Sequence, residues 1–278
     1  GAEVTGVDLS EGIGDDVAAA LREAWLDHDG ILVIRGQENL SSEAHIAFAR
    51  HFGPLFGAPG EPPLQETVSR YIHPEHPEIY RVSNKQDEKG EPLGRKGAGT
   101  YWHSDVSFRE RPAAASILSA KEIPPIGGDT LFANTYLAYE ALSEAMKKLL
   151  SPLRAVHDFE VAARTQYAKP VVVARDIEDG TNRAVHPVVR THEETGRKCL
   201  YVNPGFTAGL VGFEPQESKA LLDFLYAHCT RPEFVYRHRW QPGDLLIWDN
   251  RNLMHYAISD YTEPRHMERT TCIGGRPV

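Results

Sequence analysis

Hydrophobic residues in the first fifty positions switch between helical and strand spacing. Residues 15–27 carry apolar side chains at helical intervals, which predicts an amphipathic helix. The unbroken apolar run at residues 31–34 predicts a short buried strand, and residues 1–4 resemble the start of another. A second helix is predicted after Ser41 or Ser42, either of which can cap it, and it stops at Gly53-Pro54.

Strand patterns dominate the remainder of the chain. Apolar and β-branched runs bounded by turn residues predict strands at 79–82, 115–119, 129–132, 184–189, 198–202 and 270–273. Helical spacing predicts two interrupting helices, at 136–150 and 216–229. Residues 233–248 predict a hairpin, since the turn residues 241–244 lie between two strand-like runs.

Many short strands with inserted helices favour a mostly β, double-sheet jelly roll over a parallel, doubly wound sheet. No repeat, low-complexity tract or linker divides the sequence, so a single domain over residues 1–278 is predicted. The stretch 56–99 is rich in Gly, Pro and charge, and we expect lid segments of an active site there and around 157–183.

The composition is that of an ordinary globular protein, with 41% hydrophobic and 25% charged residues. A net charge of −9 argues against nucleic acid or an anionic membrane as the main partner, because both attract basic surfaces. No apolar run reaches the ~18–20 residues that cross a bilayer, and the first residues do not resemble a signal peptide. The three cysteines are scattered and odd in number, which favours a reducing cytoplasm over a disulfide framework.

His103, Asp105 and His255 are candidate metal ligands. Two imidazoles and one carboxylate form the facial triad of non-haem Fe(II) oxygenases, which leaves open positions on the metal. On an extended strand, residues i and i+2 point to the same side, so His103 and Asp105 could grip one ion. The His-x-Asp pair is weak evidence by itself, because the chain has 13 histidines.

Two arginines follow His255 and suit an anionic cosubstrate. Arg265 and Arg269 lie ten and fourteen residues beyond it, and a guanidinium can bind a carboxylate through two parallel hydrogen bonds. An iron site that activates oxygen through a 2-oxo acid needs such an anchor, to which Thr130 could add a hydroxyl donor. The alternative is that both arginines are surface residues paired with Asp260 or Glu263, and spacing alone favours neither interpretation.

Several sequence blocks, in this order, carry a family resemblance. They are Trp102-His103-Ser104-Asp105-Val106-Ser107-Phe108, Gly127-Gly128-Asp129-Thr130-Leu131-Phe132, His186-Pro187-Val188-Val189-Arg190-Thr191-His192, Trp248-Asp249-Asn250-Arg251 with His255, and Arg265-His266-Met267-Glu268-Arg269-Thr270-Thr271. Together they span nearly the whole chain. They resemble the Fe(II)/2-oxoglutarate-dependent dioxygenases of the taurine dioxygenase and chlorophenoxyacetate dioxygenase (TauD/TfdA) family.

The resemblance implies a double-stranded β-helix (a jelly roll) of the clavaminate synthase-like type. It also implies an iron held by His103, Asp105 and His255, with 2-oxoglutarate and O2 as cosubstrates. Thr130 and Arg265 would hold the distal carboxylate of 2-oxoglutarate, while Arg269 would lie beside the cosubstrate and the anionic end of the prime substrate. A substrate C–H would be hydroxylated, with succinate and CO2 as coproducts and possible fragmentation of the product. Relatives suggest a homo-oligomer, a dimer or tetramer.

Departures from the taurine enzyme bear on the substrate. In the taurine enzyme, three polar side chains contact taurine, and the matching positions of this chain are Ala58, Gly99 and Ala162. The charged amine of taurine would therefore be poorly satisfied here. Other stretches, including Val82-Ser83-Asn84 and residues 233–240, resemble the chlorophenoxyacetate branch. A small but bulkier organic anion is therefore expected, either a sulfonate, an alkyl sulfate, or an aryloxy or other carboxylate, and taurine itself is disfavoured.

Further pocket candidates are Tyr71, His73, Tyr101 and Val106, with loop hydrogen bonding as the simpler interpretation of His73. Asp249 and Asn250 could brace His255 from behind. Two rival functions use the same ligands: a zinc hydrolase, and a non-catalytic jelly roll that responds to 2-oxoglutarate. The hydrolase leaves Thr130 and the two arginines without a role.

Overall fold

The computed structural model describes residues 1–64, 70–165 and 182–278. In those residues the helices are α1 (Asp15–Asp27), α2 (Ser42–Arg50), α3 (Thr135–Glu140), α4 (Glu144–Leu150), α5 (Phe159–Thr165) and α6 (Pro215–Cys229), with a 3-10 turn at Pro232–Phe234. The first strands are β1 (Ala2–Val4), β2 (Ile31–Ile34), β3 (Tyr80–Ser83), β4 (Ala113–Glu122), β5 (Thr130–Asn134), β6 (Arg154–Asp158) and β7 (Arg183–Pro187). The others are β8 (Val189–Thr191), β9 (Lys198–Leu200), β10 (Thr207–Leu210), β11 (Val235–His238), β12 (Leu245–Asp249), β13 (Leu253–Ala257) and β14 (His266–Ile273).

Two sheets build the centre of the molecule. The major sheet has the order β1-β2-β12-β4-β14-β3, and the minor sheet has the order β11-β5-β13. Within the major sheet β1 and β2 are parallel, whereas the other pairings are antiparallel. The remaining strands form two smaller sheets, β10-β6-β7 and β8-β9.

Strand alternation gives the major sheet two buried faces. On β12, Leu246 and Trp248 join the core between the sheets, while Leu245 and Ile247 face the layer that contains α1 and α2. Successive side chains of a strand point to opposite faces, so a continuous apolar run is what a strand covered on both sides requires. The same alternation on β2 explains why all four of its residues are buried.

The minor sheet alternates in the same way and thereby orients site residues. Phe132 of β5 and Leu253 of β13 face the major sheet, whereas Ala133 and Met254 face outward. The outward residues pack in a cluster with α3 and α6. His255 lies two residues after Leu253 on β13, so its side chain points toward the space between the sheets.

Both N-terminal helices begin as their sequences predict. Helix α1 covers the predicted residues, Asp15–Asp27. The Ser41 side chain caps α2 and accepts a hydrogen bond from Ala44 N at 3.1 Å. Strand β1 confirms the strand expected at the first residues.

The predicted hairpin at 233–248 is wrong. Strand β11 pairs with β5 in the minor sheet, and β12 pairs with β2 and β4 in the major sheet. The turn at 241–244 therefore carries the chain from one sheet to the other. Turn residues specify a reversal of direction, but long-range contacts decide which strand becomes the neighbour.

Two other predicted elements are each divided in the structure. The helix expected at 136–150 is two helices, because Ser143 caps α4 by accepting a hydrogen bond from Met146 N at 3.2 Å. The strand expected at 184–189 breaks at Val188 into β7 and β8, which pair with β6 and β9. A prolyl residue, Pro187, ends β7 at that break.

Two opposed sheets with short strands and peripheral helices form the predicted mostly β jelly roll. Within the described residues, no helix is long and apolar enough to cross a membrane. The expected lid segments fall partly at 65–69 and 166–181, which lie outside the described residues.

Candidate active site

The two candidate histidines face each other across a short antiparallel bridge. His103 N donates to His255 O at 3.1 Å, and His255 N donates to His103 O at 2.8 Å. Their ring centroids are 4.1 Å apart. His103 Nδ1 lies 2.8 Å from Tyr101 O, so Nδ1 carries the proton and Nε2 presents its lone pair to the site.

Asp105 completes the group, although the local geometry differs from the expectation. It lies in a turn over residues 105–108, not on an extended strand, and the next residue, Val106, has a φ of 44°. The interpretation of the His-x-Asp spacing as strand geometry is therefore wrong. The turn still brings Asp105 Oδ1 to 3.8 Å from His103 Nε2, and Asp105 Oδ2 to 3.9 Å from His255 Nε2.

These three side chains form a group that could hold a metal ion. Their ligand atoms all lie within 4.8 Å of one another, and all three residues are buried. Protein donors bind a divalent ion of this kind at about 2.0–2.2 Å, so an ion between them is compatible with the spacing. The donor set of two imidazoles and one carboxylate also fits Fe(II).

The protonation states at the site suit metal binding. Burial lowers the pKa of His103, and burial together with the neighbouring His103 holds the pKa of His255 well below its usual range. Burial alone would raise the pKa of Asp105, but the Arg269 guanidinium and the two imidazoles lower it to about 2. At neutral pH the site thus offers two neutral imidazoles and a carboxylate, the forms that bind metals.

Two glycines leave room for the His103 ring. A Cβ on Gly99 would lie 2.9 Å from His103 Cε1, and a Cβ on Gly205 would lie 2.9 Å from His103 Cβ and 2.7 Å from Tyr101 Cε2. Gly99 also has a φ of 73°, in the left-handed region that favours glycine. Its carbonyl accepts a hydrogen bond from Ala257 N at 2.8 Å, which fixes this loop to β13.

Asn250 fixes Asp105 and not His255. Asn250 Oδ1 accepts from Asp105 N at 3.0 Å and from Trp248 Nε1 at 3.1 Å, and its Nδ2 donates to Ser116 Oγ at 2.9 Å. Ser116 Oγ in turn donates to Asp105 Oδ2 at 2.8 Å. Asn250 and Ser116 therefore orient the carboxylate from two sides.

Asp249 belongs to a different network. Its carboxylate pairs with Arg251 and lies 3.0 Å from His192 Nε2, so it does not brace His255. The expectation that Asp249 and Asn250 support His255 is wrong: Asn250 positions Asp105, and Asp249 pairs with Arg251. Asp249 is the last residue of β12 and Asn250 is the first of the following turn, so their side chains enter two different clusters.

Arg265 and Thr130 lie in the same cavity as the triad, and both are buried. Arg265 Nη2 donates to Gly128 O at 3.3 Å, and Thr130 Oγ1 accepts from Trp240 Nε1 at 3.0 Å. Among the described residues, Arg265 forms no ion pair with a carboxylate, and its Nε has no hydrogen-bond partner. Burial lowers the pKa of its guanidinium, and such an uncompensated cation calls for an anionic ligand.

The alternative surface role of the arginines does not match their positions. Asp260 Oδ1 accepts from Gly128 N at 2.8 Å instead of pairing with Arg265. Arg269 is mostly buried and donates from Nη1 to Asp105 Oδ1 at 2.8 Å, with its guanidinium 5.2 Å from the centre of the Tyr80 ring. Both arginines thus face the cavity, and Arg269 touches a candidate metal ligand directly.

Apolar side chains form most of the remaining cavity wall. Tyr101 and Val106 line it as predicted, together with Leu64, Tyr80, Val82, Phe108, Leu118, Phe206 and Trp248. Tyr71 and His73 do not appear in its described lining. Tyr71 packs against the hydrophobic cluster that includes the wall residues Phe108 and Phe206. His73 Nδ1 accepts from Glu75 N at 3.2 Å, in agreement with the simpler loop interpretation.

The three positions used to disfavour taurine have different surroundings. Gly99 lines the cavity. Ala58 packs against the core beneath α1 and α2, and Ala162 is buried in the cluster around Phe108 and Phe159. Neither alanine is part of the cavity lining in the described chain, so the structural argument against taurine rests on Gly99 and the apolar walls.

Sequence reasoning missed several residues of the site. Ser116 and Leu118 alternate on β4 toward the cavity, and Phe206 and Arg95 reach it from loops. The strand pattern of β4 could have indicated a shared face for Ser116 and Leu118, but not what that face meets. No motif marks Phe206 or Arg95.

Residues 1–271 match the model of the family described as taurine catabolism dioxygenase TauD, TfdA family. The chain is 37% identical to the alpha-ketoglutarate-dependent 2,4-dichlorophenoxyacetate dioxygenase of Cupriavidus pinatubonensis, over 98% of this chain and 94% of that protein. It is 35% identical to pentalenolactone F synthase of Streptomyces arenae, over 95% of this chain and 90% of that protein.

A solved structure agrees with these relatives. The crystal structure of a taurine dioxygenase from Burkholderia xenovorans superposes with a TM-score of 0.79 at 36% sequence identity. The match covers 99% of this chain and 86% of the other. Sequence and fold thus point to the same group of proteins.

Proposed function

The chain belongs to the TauD/TfdA family of dioxygenases, and from that premise we propose that it oxidises a small organic anion with Fe(II), 2-oxoglutarate and O2. The resemblance identified in the sequence is confirmed, and the enzyme is an oxidoreductase. One observation carries the proposal. The buried triad His103, Asp105 and His255 shares its cavity with Arg265, a buried cation without a carboxylate partner among the described residues.

His103, Asp105 and His255 would hold the iron. When bound together, Fe(II) and 2-oxoglutarate supply the activation of O2, with succinate and CO2 as coproducts and a hydroxyl group for a substrate C–H. The protein contributes a fixed donor geometry. Asn250 and Ser116 hold the Asp105 carboxylate. His103 Nδ1 donates its hydrogen to Tyr101 O, so the lone pair of Nε2 stays available to a metal.

Arg265 and Thr130 would bind the distal carboxylate of 2-oxoglutarate. Both are buried, so their contacts with an anion would be strong and little screened. Arg269 would lie beside the cosubstrate while it holds Asp105 Oδ1. Its position next to the triad also agrees with the sequence prediction that it approaches the anionic end of the substrate.

The cavity walls support a substrate with substantial apolar surface. Leu64, Val106, Phe108 and Phe206 exclude water from the space beside the triad. A sulfonate, an alkyl sulfate or an aryloxy carboxylate combines such a surface with a charge. Taurine is the alternative substrate, and it fits less well because no side chain extends from Gly99 to meet its amine.

The zinc hydrolase and the non-catalytic sensor, the two other functions considered from the sequence, do not agree with the family to which the chain belongs. Both accept the triad, but the hydrolase gives Arg265 and Thr130 nothing to bind. An anaerobic titration separates the three. Fe(II) followed by 2-oxoglutarate should produce a weak visible charge-transfer band that shifts with substrate, and O2 should then release succinate.

The His103→Ala variant should lose this band, since one of three protein ligands is removed. His28→Ala is the matched control, because His28 is exposed on the C-terminal end of α1. An unchanged band in His103→Ala, or no band in the wild type, contradicts the proposal. A band without succinate across sulfonates, alkyl sulfates and aryloxyalkanoates favours the sensor.

Further parts of the proposal concern the whole chain. We propose one domain over residues 1–278, with segments within 56–99 and 157–183 closing over the cavity. The three cysteines are free and buried, which agrees with a reducing cytoplasmic environment. A homo-oligomer is part of the same proposal, and light scattering of the purified protein tests it.

A further inference from the structure

Two turns from distant parts of the chain form neighbouring parts of the cavity wall. The turn at 105–108 carries a candidate metal ligand and Phe108, and the turn at 204–206 carries Phe206. Both phenylalanines line the cavity, and the Phe206 ring centre lies 5.0 Å from that of Phe108 and 5.9 Å from that of His103. The distance between the apolar wall and the triad therefore depends on how these two turns are held together.

The side chain of Asn203 bonds to both turns. Asn203 Oδ1 accepts a hydrogen bond from Phe206 N at 2.8 Å, and Nδ2 donates to Ser107 Oγ at 3.1 Å. The orientation of the amide is fixed, because a backbone N–H can only donate and must therefore face Oδ1. Asn203 and Ser107 are both buried, so water does not compete for these bonds.

Ser107 extends the connection to strand β6. Its Oγ lies 3.0 Å from His157 Nδ1, and because it accepts from Asn203, its own hydrogen is available to that nitrogen. His157 is paired in register with Thr207, whose Oγ1 accepts from Asn203 N at 2.9 Å. The contacts thus form a closed ring that includes both turns and β6.

The ring supports the cavity wall and not the candidate metal ligands. Asp105 is held by other side chains, Ser116 and Arg269, which donate to its two carboxylate oxygens. Asn203 itself is not part of the cavity lining in the described chain. Gly205 N also donates to Trp102 O at 3.1 Å, so loss of the Asn203 side chain should loosen the turn at 204–206 without releasing it.

We propose that Asn203 is a positioning residue for the prime substrate, which acts through Phe206 and fixes the distance between the apolar wall and the triad. The inference rests on the proposed function, because it concerns the substrate of that site. A substrate packed against a displaced Phe206 binds less tightly and holds its C–H away from the reacting position. Small errors of placement are costly to catalysis, and 2-oxoglutarate is then consumed without oxidation of the substrate.

The test uses Asn203→Ala with 2,4-dichlorophenoxyacetate and hexyl sulfate as probes. Calorimetry on protein loaded with Mn(II) and N-oxalylglycine, a non-reacting analogue of 2-oxoglutarate, should show probe affinity weakened by about threefold or more. With Fe(II), 2-oxoglutarate and O2, the amount of oxidised probe formed per succinate should fall by about twofold or more. The affinity for Fe(II), read from the charge-transfer band, should stay at the wild-type value.

A second variant and a control accompany this measurement. Ser107→Ala removes the bond between the turns and leaves the bond from Phe206 N to Asn203 intact, so it should give the same two losses if Asn203→Ala does not fold. Asn39→Ala is the matched control, because Asn39 is exposed in a surface turn. It should behave as the wild type in every measurement.

A double-mutant cycle shows whether Asn203 acts through Phe206. Phe206→Ala should lower the oxidised probe formed per succinate by itself, and adding Asn203→Ala should cause no further decrease, because the positioned ring is already gone. A general loss of stability would not alter this ratio, since unfolded molecules form neither product. The ratio therefore separates a positioning role from a structural one.

The outcomes distinguish the inference from the function beneath it. Wild-type probe affinity and product ratio in Asn203→Ala and Ser107→Ala, or an additive loss in the double variant, overturn the role of Asn203 and leave the proposed function intact. If the wild type binds neither probe and makes no succinate with them, the proposed function is wrong, and the inference falls with it.

Discussion

His103 is packed so closely between two glycines that their missing side chains decide where its imidazole points. Gly99 approaches the ring edge and Gly205 approaches the Cβ. A sequence comparison with the taurine enzyme treats Gly99 as a lost substrate contact. In the structure the same residue leaves the space that the His103 ring occupies.

We predict that Gly99→Ala impairs metal binding. The new methyl group would lie too close to His103 Cε1 and would occupy a left-handed backbone conformation, which costs an alanine about 1 kcal/mol. The affinity for Fe(II) should fall at least tenfold. Anaerobic metal titration, monitored by the charge-transfer band with 2-oxoglutarate, measures the loss.

Gly97→Ala is the control for this prediction. Gly97 has a similar φ of 66°, but a Cβ there would have no heavy atom within 4 Å. It should lose a comparable amount of stability and keep the wild-type affinity for Fe(II). Equal metal affinity in Gly99→Ala and Gly97→Ala would show that the contact with His103 does not matter.

Between β11 and β12 the chain crosses from the minor sheet to the major sheet, and Asp244 fixes this corner. Its buried Oδ2 accepts from Arg35 Nη1 at 2.6 Å and from Gln241 N at 2.8 Å, and it lies 3.2 Å from His238 Nε2. Arg35 follows β2 of the major sheet, and His238 ends β11 of the minor sheet. One carboxylate thus joins both sheets.

We predict that Asp244→Asn destabilises the protein by about 2–4 kcal/mol at neutral pH, because it removes the buried carboxylate shared by Arg35 and His238 and leaves Arg35 only the more exposed Glu3. Burial alone would raise the pKa of Asp244, but its hydrogen bonds to His238 and Arg35 lower it. A lowered folded-state pKa contributes stability above the unfolded value and loses it as the pH falls through the folded-state value. The difference between variant and wild type should therefore shrink below about pH 4.

Urea unfolding at several pH values measures this effect. Asp223→Asn is the control, since Asp223 pairs with Lys219 on the exposed face of α6 and should contribute less than about 1 kcal/mol. A loss in Asp244→Asn no larger than in the control would mean that the corner is held by the backbone alone.

Local signals explain which elements could be predicted. The apolar residues of helix α1 recur at uninterrupted helical spacing. Strands β2 and β12 are continuous apolar runs, which is the pattern of a strand covered on both faces. Strand β13, which carries His255, was missed because Leu253-Met254-His255-Tyr256 mixes polar and apolar residues. Of its inner residues, Leu253 packs in the core between the sheets and His255 faces the cavity, so the inner face is only partly apolar.

Three histidines outside the candidate site, His45, His157 and His186, are buried in the protein interior. His45 lies between α2 and the major sheet, with its Nε2 3.2 Å from Ile117 O and 3.3 Å from Thr270 Oγ1. His157 and His186 lie near Ser107 and Arg109 on the opposite side. Burial lowers the pKa of His45 and of His186 to about 4, and that of His157 to about 3.

We predict that the protein loses stability as the pH falls from about 6.5 to about 4. The unfolded chain takes up protons on these histidines near their usual pKa of about 6.5, whereas the folded protein keeps them neutral. Stability therefore rises with pH in this window, because the unfolded state binds more protons there. Chemical denaturation at steps between pH 7.5 and 4 gives the slope.

His45→Gln tests the contribution of one residue. Glutamine keeps a hydrogen-bonding side chain without a titrating ring, so the slope should decrease, with a change of up to about 3 kcal/mol over the window. His28→Ala, at an exposed histidine, should leave the slope unchanged. An identical slope in His45→Gln would show that His45 is protonated in the folded protein.

The sequence by itself determined the family, the mostly β architecture and the identity of the three candidate metal ligands. These features depend on residue types in a fixed order, and strand and helix periodicity follows directly from side-chain direction along the backbone. The structure brings His103, Asp105 and His255 together although the strand geometry assigned to the first two is wrong, because a turn achieves the same convergence.

The tertiary structure alone decided what surrounds those ligands. The partners of Asp105, the close approach of Gly99 and Gly205, and the arrival of Arg95 at the cavity all join segments far apart in the chain. No local pattern encodes such contacts, since they follow from how the two sheets pack. The same packing removed Tyr71 and His73 from the described cavity wall.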